Sequence, residues 1–510
     1  MKNTSTKKII IIGAGLSGLS AGIYARLSGF DVDIFEKNPV AGGLCTSWYR
    51  KGYKIDGCIH WLTGTNDYSC LKPMWKTIGA WEEEDLIQDD NFGTIEYQGQ
   101  KLVMWNDSKK LEDELLKISP EDKKEIHRFI KYFDKSKTVD FPLEVPTDIA
   151  SLGELMKIGP RMIPNLPLLA KTATISCERY SRRFKSPLIR YFLNNIVPGK
   201  NNLYSNIFSY ATVASYNGGV PKGGSKDMMD KVLKRYLELG GKIHYVREVE
   251  QILTEKRKAV GIRLKNGEEH FADYVVSCVD ILYVLEHLLK RKYRSNRFHG
   301  RLEQIHKYPI PSCLYVTYSV DAKKYKDLGL TTTYQFDTKP FRIGYTSLTS
   351  IRIRDYSFDE SFIHNGRVPI NVLIDQTDIN YPFWKMLSRD RKAYLTEKEQ
   401  IGDRIKNIIE EKFPSLKGDL ELLDVATPFT YHRYCNSSYG GYMSFAWTSR
   451  NMMLMHNGQI RKIKNLYVSG QWTQMPGGLP LALASGKFSI QRILKKEHRD
   501  YHFPPKEKRR

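Results

Sequence analysis

The sequence lacks the features that would assign it to several simple classes. Its seven cysteines, at positions 45, 58, 70, 177, 278, 313 and 435, include no CxxC pair, and this odd, scattered set predicts free thiols in a reducing compartment, hence the cytoplasm. Cys58 and His60 lie close together, but two residues do not make a metal site, so no metal is expected. No run of about twenty apolar residues occurs, so no transmembrane helix is expected.

Acidic residues are too few to balance the basic ones, and the formal net charge is +22 over 510 residues. A basic surface attracts anionic partners, which are nucleic acid, anionic lipid or acidic ligands. Zinc-finger spacings and basic helices with heptads are absent, so nucleic acid is not an expected partner. The charge therefore favours an anionic membrane surface, unless the host proteome is basic in general.

A proline-rich stretch over residues 141–175 is the candidate for such a membrane contact. Pro160, Pro164 and Pro167 are expected to break any long helix here. The basic residues that flank its apolar positions, as in a short element lying on lipid, are Lys157, Arg161 and Lys171. A surface loop packed on its own core explains the stretch equally well.

The first thirty-six residues carry the pattern of a dinucleotide-binding unit, with a strand (8–12), a glycine turn (13–18), a helix (19–28) and a second strand (30–35). Gly13 permits the tight turn, Gly15 lets a pyrophosphate approach the backbone, and Gly18 allows the helix to pack closely on the strand. Glu36 ends the second strand, where its carboxylate accepts both ribose hydroxyls and repels a 2′-phosphate. The sequence therefore predicts dinucleotide binding.

Two further glycine-rich segments indicate FAD rather than NAD. Gly42 and Gly43 follow soon after Glu36 and let the chain pass close to ribityl and phosphate atoms. Near the C-terminus a strand ends at Gly470, and residues 476–486 begin a helix whose N-terminus stabilises negative charge on a reduced flavin ring. An ordinary helix entry explains this last run when it is taken alone.

The remaining chain predicts a second, substrate-side domain with a mixed sheet, in a region dense with tyrosine and phenylalanine. Strands are expected at 94–97, 102–105, 242–246, 259–264, 274–277, 311–320, 368–375 and 465–469. Lys265-Asn-Gly267 predicts a hairpin turn. Helices are expected at 121–133 and 481–494, and the tail 504–510 is expected to be disordered.

Together these motifs resemble the phytoene desaturase-type flavoprotein family, which includes carotenoid isomerases and retinol saturases. The matching segments are Gly13–Gly18 with Glu36, Gly42-Gly43, Ile55-Asp-Gly57, Pro221-Lys-Gly-Gly-Ser225, Glu248-Val249, and Gly470 with Pro476–Gly486. The resemblance is strong over about residues 7–64, 178–280 and 425–494 and loose elsewhere. It implies an α/β fold: a Rossmann-type FAD-binding domain of the glutathione reductase-like flavoprotein kind, with a second α+β substrate domain containing a mixed sheet.

The implied domains interleave along the chain. Residues 1–64 form the FAD-binding βαβ unit, 65–215 are mainly substrate-side with the candidate membrane contact, 216–290 continue the FAD-binding domain, 291–424 form the substrate domain, 425–494 complete the FAD-binding domain, and 495–510 are a basic tail. The resemblance implies that Val249 holds the adenine through its backbone and that residues 470–481 run past the isoalloxazine. The expected FAD-binding residues are Gly13, Gly15, Leu16, Ser17, Gly18, Glu36, Lys37, Gly42, Gly43, Leu44, Val249, Gly470, Gly478, Leu479 and Pro480.

His60, Arg433 and Tyr442 are the candidate catalytic residues. His60 stands where retinol saturases carry a histidine, and it either positions substrate or donates a proton near the flavin, or packs beside the cofactor. Arg433 and Tyr442 belong to two tyrosine-rich runs, 430–434 and 439–442, which either wall the substrate channel or form a strand pair in the core. No acid–base triad is expected, because in similar enzymes the flavin does the hydride chemistry and the protein supplies orientation and a dry tunnel.

The resulting hypothesis is an FAD-dependent oxidoreductase that acts on a hydrophobic polyene or isoprenoid reached from a membrane surface. Desaturation, saturation and cis–trans isomerisation of carbon–carbon double bonds remain open, as does the electron donor or acceptor. A flavin amine oxidase is the first alternative, although Gln471 stands where those enzymes usually carry Glu. The second alternative is a non-catalytic flavin- or lipid-binding protein, whose flavin would stay reduced after photoreduction whatever acceptor was offered.

Overall fold

The computed structural model of the chain describes residues 6–197, 201–451 and 453–503, so the predicted disordered tail lies outside the described residues. The strands are β1 (Lys8–Ile12), β2 (Asp31–Phe35), β3 (Ser47–Arg50), β4 (Tyr53–Asp56), β5 (Leu62–Thr63), β6 (Leu86–Ile87), β7 (Asn91–Tyr97), β8 (Gln100–Trp105), β9 (Gly218–Pro221), β10 (Lys242–His244), β11 (Val249–Glu255), β12 (Lys258–Leu264), β13 (Glu269–Phe271), β14 (Tyr274–Ser277), β15 (Pro311–Asp321), β16 (Thr333–Ile343), β17 (Thr346–Asp355), β18 (Arg367–Thr377), β19 (Glu421–Ala426) and β20 (Leu466–Val468). The α-helices are α1 (Leu16–Leu27), α2 (Lys72–Thr77), α3 (Ser108–Ile118), α4 (Lys123–Lys137), α5 (Leu152–Met162), α6 (Leu166–Thr172), α7 (Cys177–Ser181), α8 (Pro187–Asn195), α9 (Leu203–Ala214), α10 (Gly224–Glu238), α11 (Ile281–Tyr283), α12 (Asn296–Leu302), α13 (Ala322–Lys326), α14 (Tyr381–Leu387), α15 (Arg391–Lys412), α16 (Pro428–Cys435) and α17 (Leu479–Lys496).

A five-stranded sheet in the order β10-β2-β1-β14-β20 has all its strands parallel. The central strand β1 is an isoleucine run, and Ile9 to Ile12 are buried on both faces, as expected when helices cover both sides of a parallel sheet. The strands come from the predicted segments 1–64, 216–290 and 425–494. Distant parts of the chain therefore meet in one sheet.

Helix α1 begins at Leu16, three residues earlier than the sequence predicts. Gly15 is extended and is the N-cap, so the first helical turn lies within the glycine motif. It packs against α17 in a cluster of buried side chains that includes Leu19, Ile23, Leu483 and Ile490. This contact joins the two ends of the chain. It also sets the N-termini of both helices beside the parallel sheet.

A second sheet has seven strands in the order β19-β15-β18-β17-β16-β7-β8. Its pairings are antiparallel except for β16 with β7, which is parallel, so the predicted mixed sheet is confirmed. One face of this sheet packs on α15 in a core that includes Val316, Ile353, Val372 and Ile405. Side chains alternate across a strand, so every second residue points to the opposite face.

Three expectations about local structure need correction. Pro160 does not break the helix but lies inside α5, and the break comes at a 3₁₀ turn, Ile163–Asn165, that carries Pro164. A proline interrupts one helical hydrogen bond, and water can satisfy the freed carbonyl because α5 has no buried residue. The tyrosine-rich runs form α16 and a 3₁₀ turn rather than a strand pair. Strand β10 ends at His244, since Val246 has a left-handed φ of 55°.

All seven cysteines are free thiols. Among the described residues, the helices that are long enough to cross a bilayer are not apolar enough to do so. In the same part of the chain, no three His, Cys, Asp or Glu side chains come together as metal ligands.

Candidate functional site

A cavity of about 600 Å³ connects the two sheets. Part of its wall consists of the loops that follow the parallel strands β1, β2, β14 and β20, and the rest includes one face of the seven-stranded sheet. Ligand sites in α/β proteins lie at the carboxyl ends of parallel strands, which is where these loops are found. The cavity volume is within the range of small-molecule and cofactor sites.

Two glycine loops face each other at one end of the cavity. The Gly13 N–H donates to the Phe35 carbonyl at 2.8 Å, and the Gly42 N–H donates to the Ala14 carbonyl at 2.9 Å. Gly13 has a φ of +94°, a conformation that favours glycine. Helix α1 begins here without a side-chain cap, so its first N–H groups are available to an anion.

Glu36 is buried beside this loop pair and is held in place by three hydrogen bonds. Its Oε2 accepts from the Ala14 N–H at 2.8 Å, and its Oε1 accepts from the backbone and side-chain N–H groups of Asn38 at 2.9 and 2.8 Å. Lys37 Nζ donates to the Arg433 carbonyl at 3.0 Å and to Asn436 Oδ1 at 2.8 Å. The carboxylate is thus oriented toward the glycine loops.

A second uncapped helix N-terminus borders the cavity where α17 begins after Gly478. Gln471 ties this terminus to the opposite wall, because its Nε2 donates to the Tyr442 carbonyl at 3.0 Å and its Oε1 accepts from the Gly478 N–H at 3.3 Å. The Gln471 side chain therefore fixes the loop rather than offering a free polar group to a ligand.

The structure brings the predicted FAD-binding residues together around this end of the cavity. Gly18 is the exception and lies behind the loop, where an added Cβ would stand only 2.0 Å from the Gly13 carbonyl oxygen. This is the close helix–strand packing expected of it. The residues that line the cavity are Gly13, Gly15, Leu16, Ser17, Glu36, Lys37, Gly42, Gly43, Leu44, Val249, Gly470, Gly478, Leu479 and Pro480.

His60 lies in the cavity wall, at 3.2 Å from Nε2 to the Tyr315 hydroxyl. Burial, together with the guanidinium groups of Arg354 and Arg352, holds the pKa of His60 well below its ordinary value. The imidazole is therefore neutral at physiological pH, and it can accept or donate one hydrogen bond but carries no charge. Burial also raises the pKa of Tyr315 well above its ordinary value, so its hydroxyl keeps its proton.

Only one of the two other candidate catalytic residues lies in the cavity wall. Tyr442 lines the cavity, and burial and the nearby Asp375 carboxylate raise its pKa. Arg433 does not line the cavity: it is exposed, and its guanidinium stacks on the Tyr434 ring at 4.8 Å. Helix α16 turns Tyr431 toward the cavity. Arg433 is two positions further along the helix and therefore points away from the cavity.

Sequence reasoning missed two arginines in the cavity wall, of which Arg354 is buried and Arg352 is half-buried. Arg352 and Arg354 lie on β17 and alternate with Ile351 and Ile353, which are fully buried in the core on the other face of the sheet. The alternation Ile-Arg-Ile-Arg at 351–354 was the available signal, since it places both guanidinium groups on one face of a strand. It marks no known motif, and a solvated strand face produces the same pattern.

The sequence is similar to those of several known proteins. The sequence model of the family described as flavin containing amine oxidoreductase matches residues 16–494. Phytoene desaturase (lycopene-forming) of Paracoccus sp. is 23% identical over 96% of this chain and 98% of its own length. The chloroplastic prolycopene isomerase of Daucus carota is 24% identical over 95% of this chain and 79% of its own length.

Among solved structures, an oxidoreductase from Methanosarcina mazei superposes with a TM-score of 0.61 at 16% identity. The superposition covers 95% of this chain and all of the other. At this identity the likeness shows the fold alone. Together with the family match, it gives a mixed α/β fold of the flavin amine oxidase type that contains a mixed sheet.

Proposed function

The chain belongs to the flavin-containing amine oxidoreductase family, and we propose that it uses FAD to change carbon–carbon double bonds in a long hydrophobic polyene or isoprenoid. The relatives named as phytoene desaturase and prolycopene isomerase support the substrate class. The observation that carries the proposal is one cavity whose wall includes both the glycine loops and a broad apolar surface. The apolar and aromatic residues of that surface include Phe92, Met104, Phe141, Leu143, Tyr204 and Phe208.

We infer that β1, α1 and β2 form a Rossmann-type unit of the glutathione reductase-like kind that binds FAD. The donors and acceptors present suit each part of FAD: the uncapped N-terminus of α1 suits a pyrophosphate, Glu36 a ribose, and the backbone of Val249 an adenine. The uncapped N-terminus of α17 suits negative charge on a flavin ring. Bound FAD would supply hydride transfer, and the chain supplies orientation and exclusion of water.

The chain's own polar groups near the apolar wall do not form an acid–base pair. His60 is neutral and bonded to Tyr315, and the hydroxyls of Tyr315 and Tyr442 keep their protons, so these groups orient a ligand by hydrogen bonds. Tyr315 and Tyr442 pack in one apolar cluster with Leu373 and Tyr431. This cluster keeps water from the adjoining part of the cavity.

Oxidation of an amine is the second candidate function, and one observation favours it. Asp375 lines the cavity on β18 and supplies a carboxylate of the kind that holds an ammonium. Against it, Arg352 and Arg354 line the same cavity, and two guanidinium groups repel a cation. Gln471 is engaged on both sides by Tyr442 and Gly478 and offers no negative charge. These charges disfavour a cationic amine as the substrate.

Product mass is expected to separate the three polyene reactions. Holoenzyme would be mixed anaerobically with a panel of polyenes and isoprenoids, once with oxidised and once with pre-reduced flavin. A loss of two hydrogens with reduction of the flavin marks desaturation, and a gain of two with its reoxidation marks saturation. Unchanged mass with altered retention marks isomerisation. Conversion of amines but of no polyene in either state would contradict the proposal, and conversion of neither would favour a non-catalytic flavin- or lipid-binding protein.

We propose that α5 and α6 lie on an anionic membrane surface. The side chains of Leu152, Met156 and Ile163 are 74%, 65% and 62% exposed, and basic residues flank them. On the buried side, Leu168 of α6 packs in the same cluster as Tyr204, which lines the cavity. A lipid-soluble substrate would thus meet the protein next to the cavity wall.

Flotation with phosphatidylglycerol vesicles at low salt tests this contact. Replacing both Leu152 and Met156 by Asp is expected to lower the partition coefficient more than about tenfold, because each side chain would lose about 1.5–3 kcal/mol of apolar burial in lipid. Ile379→Asp is the matched control, since Ile379 is 63% exposed in another part of the chain and its change is expected to leave binding intact. Absence of the wild-type protein from the floating fraction would contradict the membrane proposal.

A further inference from the structure

The cavity-facing side of the seven-stranded sheet carries an unusual pair of charges. By the strand register, Arg352 lies between Leu373 of β18 and Gln335 of β16. Arg354 lies in the next row, between Asn371 and Thr333. An apolar substrate would require neither guanidinium, and burying a guanidinium without a carboxylate costs free energy. Binding of a hydrocarbon therefore does not explain why two arginines lie in this wall.

Arg352 is held by uncharged acceptors. Its Nε and Nη2 donate to Gln335 Oε1 at 2.9 and 2.6 Å, and Nη2 also donates to the Asn195 carbonyl at 2.6 Å. These bonds fix the plane of the guanidinium without neutralising its charge. Gln335 Nε2 in turn donates to Asn195 Oδ1 at 2.8 Å, which fixes the amide that orients Arg352. Gln335 is thus a positioning residue.

The hydrogen-bond donors of Arg354 have fewer partners than those of Arg352. Arg354 is 6% exposed, its Nη1 makes a long contact of 3.4 Å with Thr333 Oγ1, and its guanidinium also interacts with the Tyr356 hydroxyl. Its Nε has no hydrogen-bond partner among the described residues. The rings of Tyr356 and Phe358 lie 5.7 and 5.6 Å from its guanidinium carbon, and they shield it from water. A buried guanidinium with an unpartnered N–H is strongly stabilised when an anion binds to it.

Three ionisable groups act on, or are affected by, the two guanidinium groups. Asp375 is the negative group that acts on Arg352, and Asp355 acts on Arg354 but bonds with both of its oxygens to Ser357. His60, which feels both guanidinium groups, is neutral. Arg354 thus faces the cavity beside a carboxylate that is already occupied by Ser357.

We propose that Arg352 and Arg354 bind the carboxylate of the substrate, which makes that substrate an amphipathic polyene or isoprenoid acid rather than a neutral hydrocarbon. This inference rests on the proposed function and narrows its substrate class. A guanidinium fork matches a carboxylate in two parallel hydrogen bonds. The head group would anchor one end of the substrate at the sheet while its chain lies against the apolar wall.

Binding of all-trans-retinoic acid and its methyl ester to oxidised holoenzyme tests the proposal, because the two probes share a chain and differ in charge. Quenching of tryptophan fluorescence is expected to show at least about tenfold tighter binding of the acid, which corresponds to about 1.4 kcal/mol. Arg354→Met is expected to remove most of this preference, and Arg354→Lys is expected to keep part of it. Arg342→Met is the matched control, because Arg342 is an exposed arginine of β16 outside the cavity lining.

Equal binding of acid and ester by the wild-type protein would overturn the inference, and that comparison needs no variant to fold. The inference would also be overturned if Arg354→Met and Arg342→Met reduced the preference for the acid over the ester equally. Neither result touches the proposed function, which is tested by product mass. Conversely, a preference for the acid without conversion of any polyene would count against the proposed function alone.

Discussion

Gly18→Ala is expected to yield protein that retains less than about a tenth of the wild-type flavin. The added Cβ would stand 2.0 Å from the carbonyl oxygen of Gly13, and that oxygen belongs to backbone that cannot move without opening the glycine loop. Overpacking of this kind costs about 1–3 kcal/mol, which weakens cofactor binding about 5- to 150-fold when the cost falls on the bound loop. The ratio of flavin absorbance to protein absorbance after dialysis measures the effect.

Gly153→Ala provides the matched control for this change. Gly153 also lies in a helix, but nothing stands within 4 Å of an added Cβ. Alanine favours a helix over glycine by about 1 kcal/mol, so this variant should keep its flavin and be at least as stable as the wild type. Equal flavin content in the two variants would show that the contact behind the loop does not shape the cofactor site.

The parts of the fold that the sequence predicted well are those specified by neighbouring residues. The strand at 8–12 and the strand at 274–277 have the observed bounds, because each is an apolar β-branched run ended by turn residues. The glycine loops were recognisable because their function requires specific residues at fixed spacing. The start of α1 was misplaced because the predicted helix began after the glycine turn, whereas the first helical turn overlaps it.

The site could be predicted only at the cofactor end, since the substrate wall depends on distant pairings. Arg352 meets the cavity because β17 pairs with both β16 and β18, and no local pattern reveals which strands become neighbours. Arg433 and Tyr442 illustrate the same limit. Both stand in tyrosine-rich runs, but a helix turns Arg433 to solvent, and a hydrogen bond from Gln471 holds the backbone of Tyr442 beside the glycine-rich loop. The local backbone structure, rather than the composition of the surrounding sequence, decides which of the two residues reaches the cavity.

The largest expected loss of stability follows from Asp56, which ends β4 just before His60. The carboxylate is 1% exposed and accepts from the Ser225 N–H at 2.6 Å, the Ser225 hydroxyl at 2.8 Å and the Ser47 hydroxyl at 3.0 Å. It also accepts from the N–H groups of Cys58 and Ile59 at 3.0 and 3.2 Å. One side chain thus joins the start of α10 to the turn that carries His60.

Asp56→Ala is expected to lower the free energy of unfolding by about 2–6 kcal/mol, because the N–H groups of Ser225 and Cys58 would lose their acceptor at about 1–3 kcal/mol each. Asp56→Asn keeps the shape but turns an N–H toward one of these donors, so a smaller loss is expected. Urea unfolding of the holoenzyme, followed by tryptophan fluorescence, measures both. Asp113→Ala is the control, because Asp113 forms only an exposed pair with Lys109 and its loss should cost under about 0.5 kcal/mol. Equal midpoints for Asp56→Ala and Asp113→Ala would mean that the turn bearing His60 is held by its neighbours and not by this carboxylate.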